Sequence, residues 1–261
     1  MITDPKSSKV RGVAKLNKKD ARSETGLFLL EGPQGLKEAI ARPELLVEVF
    51  VTAEAQERYQ DLISNLDVPV QLVSESVMKV LSDTSTPQGT LAVCRQLDVS
   101  LDSVISAKPK LIALLANVRD PGNAGTVLRA ADAAGADAVI FSQNSVDLYN
   151  TKLVRSTTGS IFHLPVVLGA DLASTIASLK QADLQVFAAT AGGDLITELD
   201  SVELRKPTVW MMGNEAWGFE DETLDLADRQ VALPIYGRAE SLNLATAASV
   251  CFYVTAMAQN S

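Results

Sequence analysis

From residue 111 onward the chain carries six short, almost wholly apolar runs, LIALLANV, DAVIF, LPVVL, LQVFAAT, TVWMMG and VALPI, separated by amphipathic stretches such as DLASTIASLKQA. A strand that is apolar on successive residues has to be covered on both faces. Helices alternating with such strands supply that cover, so the pattern predicts an α/β domain with a parallel sheet. Sheets of this kind bind ligands beyond the carboxyl ends of their strands. The loops after Val118, Ala189, Met212 and Leu233 are therefore where a site is expected.

A smaller α/β pattern precedes it: FLLEG, PQGLKEAIA, VEVFVT, AEAQERYQDLISNL, PVQLVS, ESVMKVLS and TLAVCR. Gly32-Pro33 suits the start of a helix, with proline at its first position. Residues 96–109, QLDVSLDSVISAKP, lose the periodicity and read as a linker. The expected division is a basic arm over 1–22, a small domain over 23–95, the linker, and a large domain over 110–261.

With 261 residues, 47% of them apolar, the chain can bury a proper core. No apolar run approaches the length of a membrane span, and the N-terminus lacks the apolar segment of a secretory signal, so cytoplasm is the expected location. Cys94 and Cys251 lie far apart in apolar stretches and read as buried small hydrophobes. A single histidine, His163, argues against zinc.

The net charge of −9 speaks against nucleic acid only if it is evenly spread. It is not: residues 1–22 hold seven basic and two acidic side chains, a net of +5, which leaves −14 on the rest. Arg11 and Arg22 belong to this basic segment, which reads either as a solubilising disordered tail or as an RNA-contacting arm.

Three segments carry the chemistry. NVRDPGNAGTVLRAADAAG (117–135) is a strand end, a glycine turn and a helix, a combination that suits an anion or nucleotide. Its glycine spacing is neither GxGxxG nor a P-loop, and no acid closes the next strand, which weighs against a dinucleotide-dependent oxidoreductase. Asn123 can cap the helix, and Arg129 follows within it. VWMMGNEAWGFEDE (209–222) breaks a buried strand at Gly213 into a turn bearing Glu215. VALPIYGRAESLNLATAASVCFYV (231–254) ends a strand, loops through Gly237, and starts a helix near Ser241. On that helix Asn243, Thr246 and Ser249 form a narrow polar stripe, and its apolar remainder calls for burial in the domain or in a subunit contact.

In this order and spacing the three segments resemble the motifs of the SpoU (TrmH-like) RNA 2′-O-methyltransferases, NxRDPGNxGTxxRxADAxG, MGNExxGF and LPIxGxxESLNLATAxxV, over about residues 111–258. LFLLEGPQGLKEA, in residues 1–95, is similar to the ribosomal-protein-like substrate-binding domain that often precedes that catalytic domain. The resemblance implies a parallel-sheet domain with a C-terminal trefoil knot, a homodimer, and S-adenosylmethionine as cofactor. It implies that Gly213, Leu233 and Leu242 offer main-chain groups to the cofactor, with Thr190 and Ala191 on the loop beside it. It makes Asn123, Arg129, Glu215, Ser241 and Asn243 the catalytic set, with the fixed charge of Arg129 stabilising a developing ribose alkoxide. Asn150, Lys152, Arg155 and Ser156, in YNTKLVRSTTG, resemble the segment near the RNA-binding side. Ribosomal RNA is the expected substrate, with transfer RNA or a non-catalytic RNA-binding role as alternatives.

Overall fold

The computed structural model describes residues 1–261, which divide into two compact units, Met1–Leu97 with Asp147–Phe162 and Asp98–Val146 with His163–Ser261. The first holds four strands, β1 (Leu27–Glu31), β2 (Leu46–Val51), β3 (Val70–Leu72) and β4 (Thr90–Arg95), in the order β1-β4-β2-β3. β4 runs antiparallel to both its neighbours and β3 parallel to β2.

The basic segment is not a tail. Ser8–Ala14 forms a helix, Lys15–Asn17 a 3-10 turn and Lys19–Thr25 a second helix. Val10, Val13 and Leu16, spaced three apart, are buried in one cluster with Leu29, Phe50, Leu91 and Val93. Spacing of three puts them on one helical face, and the charges around them hide this stripe in the sequence.

The stretch Asp147–Phe162 groups with this first unit rather than with the large domain, and the expected linker contains a helix, Leu101–Ser106. Tyr149 explains part of the grouping: its ring lies 4.9 Å from that of Phe28 and its hydroxyl accepts the Leu97 N–H at 2.8 Å. As expected, Pro33 opens the helix Pro33–Ala39.

The second unit is a six-stranded sheet, β5 (Leu111–Leu115), β6 (Ala138–Ser142), β7 (Val166–Ala170), β8 (Gln185–Leu195), β9 (Thr208–Met212) and β10 (Arg229–Ala232), in the order β10-β8-β9-β5-β6-β7 with every pair parallel. β5, β6 and β9 are buried along their whole length, as their unbroken apolar runs demand. The last helix, Leu244–Gln259, packs against β5 and β9 and against the helix Pro121–Ala133, and the buried Trp210 indole donates to Thr255 Oγ1 at 2.9 Å. Both cysteines are buried, and burial pushes the Cys251 thiol up to about 12 and Cys94 higher still. No helix is long and apolar enough to cross a membrane.

Candidate active site

At the end of β5 the backbone turns sharply through Asn117, whose φ is +57°. Asparagine tolerates this left-handed conformation better than most residues. Ser142 Oγ accepts the Asn117 N–H at 2.9 Å, and the Asn214 amide donates to the Asn117 carbonyl at 2.7 Å. The helix Pro121–Ala133 then begins with Asp120, not Asn123, as its N-cap: Asp120 Oδ1 accepts the Asn123 N–H at 2.7 Å and Pro121 takes the first helical position. Asn123 sits inside the first turn, which frees its side chain for other contacts.

After β9 the chain makes a tight turn in which Asn214 and Gly218 exchange main-chain hydrogen bonds of 2.8 and 2.9 Å. A Cβ on Gly213 would stand 2.9 Å from the Gly218 carbonyl group, so glycine is required there. The turn projects Glu215, whose carboxylate accepts the Arg119 N–H at 3.3 Å, the Asp120 N–H at 3.1 Å and the Asn123 amide at 3.4 Å.

The third segment starts its helix at Leu244, later than the sequence suggested, because Asn243 is the cap. Its Oδ1 accepts the N–H groups of Ala245 at 2.9 Å and Thr246 at 3.4 Å. Its amide reaches Asn123 Oδ1 at 2.9 Å. Asn243, Asn123 and Glu215, far apart in sequence, thus form one hydrogen-bonded chain.

Beside that chain opens a cavity of about 530 Å³, of a size that suits a small-molecule ligand. Asn123, Glu215, Ser241 and Asn243 line it, as do Thr190, Ala191, Gly213, Leu233 and Leu242, so nine of the ten residues expected for catalysis and cofactor meet at one place. The tenth does not. Arg129 is exposed, makes no hydrogen bond or ion pair within the chain, and lies off the cavity wall. Six residues beyond Asn123 it stands about 240° further round the helix, which turns it away from this face.

The wall fits a nucleoside-like cofactor. From Ile235 to Leu242 no main-chain N–H donates within the protein, while Leu233, Ile235 and Leu242 present apolar side chains. Unspent amides beside aliphatic groups suit a heterocycle gripped by its edge and faces. Asn117, Ser142 and Asn214, which hold the wall together, escape a search for reactive groups; the signal for Asn117 was an asparagine directly after an apolar strand. Arg119 also escaped it, and its guanidinium lies 5.2 Å from the centre of the Trp217 ring.

The residues expected to face RNA separate from one another. Arg11 and Lys152 are exposed. Arg155 is paired with Glu31 at 3.2 Å and with Asp83 at 3.4 Å. Arg22, by contrast, is buried at 3% exposure, its guanidinium bonded to Asp147 at 2.5 and 3.1 Å and to the Leu16 carbonyl at 2.8 Å, and so has no free face for phosphate. Asn150 caps the helix Thr151–Ser156, and Ser156 bonds back to the carbonyls of Lys152 and Leu153. His163 Nδ1 lies 2.8 Å from Asp132 and outside the cavity wall.

Comparison with known proteins places this geometry in a lineage. Residues 110–253 match the SpoU rRNA Methylase family and residues 7–92 the MRM3-like substrate binding domain. The chain is 35% identical to the 23S rRNA (guanosine(2553)-2′-O)-methyltransferase RlmP of Bacillus subtilis over 97% of each chain. A crystal structure of an RNA 2′-O ribose methyltransferase superposes with a TM-score of 0.81 at 30% identity, covering 99% of this chain and 98% of that one. An AdoMet-bound rRNA methyltransferase from Sinorhizobium meliloti superposes at 0.80 and 27% identity, covering 97% and 96%. The three motifs, the cavity at the strand ends and the match over more than half its length make this chain a member of the SpoU rRNA methylase family.

Proposed function

We propose that this protein transfers a methyl group from S-adenosylmethionine to a ribose 2′-hydroxyl in structured ribosomal RNA, acting in the cytoplasm. The observation that carries the reading is the Asn243–Asn123–Glu215 chain beside a cavity lined by Ile235, Glu240, Ser241 and Leu242, whose main-chain N–H groups donate to nothing within the chain. When bound, the cofactor supplies an electrophilic methyl on a sulfonium centre. Ile235–Leu242 would grip it through main-chain groups, with Thr190, Ala191 and Gly213 on the facing wall. Asn123 and Asn243 hold the polar edge in fixed geometry, which is what an in-line transfer needs. Ser241 lines the same wall with its hydroxyl unbonded within the chain and is suited to orient the incoming ribose.

A hydroxyl attacking a methyl group develops negative charge, and a nearby fixed cation stabilises it. Arg129 is assigned that role with the site completed by a second copy of the chain. Support comes from the last helix, which leaves Val250, Tyr253 and Met257 at 39%, 44% and 61% exposure in one apolar stripe. Such a stripe suits a homodimer contact. The N-terminal domain, with Arg11 and Lys152 exposed, is assigned to hold RNA through phosphate contacts.

Mapping ribose methylation in total RNA from cells with and without the gene tests the function, and loss of signal at one ribosomal position is the expected result. An unchanged map, together with no binding of S-adenosylmethionine by the purified protein, refutes it. Arg129→Ala is expected to cut single-turnover methylation by about 10²–10³-fold with folding and cofactor binding retained. Wild-type turnover in that variant removes Arg129 from the mechanism.

A further inference from the structure

The first unit contains a cavity of its own, of about 350 Å³, that the reaction described above does not use. Its polar wall includes Glu31, Thr84, Thr90 and Arg155, over an aliphatic floor of Leu30 and Val154. Of the buried side-chain polar atoms that lack a hydrogen-bond partner, two hydroxyls line this one cavity, Thr84 Oγ1 and Thr90 Oγ1, beside an Arg155 Nη1 held by Glu31 as an ion pair. Thr90 is 2% exposed. Buried polar groups are nearly always paired, so two unpaired hydroxyls on one wall mark a place where a ligand supplies the partners.

The chemistry of the wall narrows that ligand. Arg155 faces Glu31 at 3.2 Å, an ion-pair distance without a well-directed hydrogen bond from Nη1, and Asp83 at 3.4 Å. The guanidinium is therefore already balanced by two carboxylates and holds no spare charge for a phosphate. Glu31 spends Oε1 on the Asp83 N–H at 2.8 Å. The group that fits is neutral and offers N–H donors next to a carbonyl acceptor, toward a carboxylate and a guanidinium side by side. No aromatic ring lines the cavity, so an occupant is read by its edge. Burial raises the Glu31 carboxyl above its ordinary range. Thr158, at φ +50°, completes the wall in a conformation that β-branched residues rarely adopt.

We propose that this cavity receives an unpaired nucleobase of the substrate RNA, and that guanine is the base it selects, with its N–H edge on the remaining oxygen of Glu31, O6 toward Arg155, and the threonine hydroxyls on the remaining edge. This rests on the reading of the protein as an RNA methyltransferase. It adds a recognition pocket in the N-terminal domain.

The test uses the full chain and two variants. Thr90→Val keeps the shape and removes an orphan hydroxyl, and Glu31→Gln exchanges a desolvated carboxylate for an amide; neither endangers folding. Guanosine is expected to show saturation-transfer signals with the wild type that exceed those of adenosine, cytidine and uridine, and to weaken in both variants. The KM for a 23S rRNA transcript should rise about 3–10-fold in Thr90→Val, the range of one lost hydrogen bond. If guanosine shows no preference, or if both variants keep the wild-type KM, the cavity is a hydrated gap and the proposal is overturned. Wild-type protein that selects guanosine yet methylates no RNA would instead sink the proposed function while leaving the pocket standing.

Discussion

Asn243 carries two roles that can be pulled apart. Its Oδ1 caps the last helix through Ala245 and Thr246, and its Nδ2 holds Asn123 at 2.9 Å. Asn243→Ala removes both. Loss of the cap costs about 1 kcal/mol, which for a chain of this size lowers Tm by about 2–4 °C. Loss of the amide leaves the Asn123 side chain held by Glu215 alone, and a displacement of about 1 Å at a reacting centre can cost about 10²-fold in rate. Asn243→Ser keeps an oxygen for the cap but cannot reach Asn123 as the amide does. The serine variant is therefore expected to melt near the wild type while its single-turnover methylation stays as low as that of the alanine variant. Calorimetric melting and single-turnover methylation, with S-adenosylmethionine affinity measured alongside and expected to change little, provide the check. A serine variant that recovers both stability and turnover refutes the argument, because the asparagine would then act only as a cap.

Removing Asp147 strands the Arg22 guanidinium in the core, so Asp147→Ala should lose about 3–5 kcal/mol in urea unfolding, and a loss below 1 kcal/mol would mean water reaches Arg22. Glu31 has a folded-state pKa raised above its unfolded value, chiefly by desolvation, so its contribution is fully present below the unfolded pKa and is lost as pH rises through the folded one. Glu31→Gln should accordingly gain stability relative to the wild type from acid toward neutral pH, and a difference independent of pH contradicts this. Tyr253→Asp or Met257→Asp should shift sedimentation toward a single protomer and depress methylation together, whereas an unchanged sedimentation profile would remove the apolar stripe from the proposed interface.

The parallel sheet was legible because β5, β6 and β9 are buried on both faces and say so by unbroken apolar runs. Most of the site was legible because its motifs are long, and Asn123, Glu215 and Asn243 do meet. What misled was local competition. Asp120 took the cap expected of Asn123, since a proline at 121 fixes the first helical position and places the aspartate just before it. The charges of residues 1–22 masked the stripe Val10, Val13 and Leu16, and Arg22 is buried among them because Asp147, 125 residues away, neutralises it. No rule of local sequence could supply that partner. The two threonine hydroxyls at the first-unit cavity were equally silent, since an unpaired atom is visible only once its surroundings are known.

The order of the strands explains why the turn after β9 governs the site. β9 lies directly beside β5, so Leu115 and Met212 are register partners and the residues that follow them emerge side by side. Asn214 therefore reaches the carbonyl of the left-handed Asn117, and Glu215 reaches the next main-chain amides, those of Arg119 and Asp120. Those contacts pin the start of the helix that carries Asn123, which in turn meets Asn243. Glu215 has its oxygens committed to three N–H donors. The carboxylate thereby helps to set where Asn123 stands, and we propose that Glu215 acts in the reaction as a positioning residue.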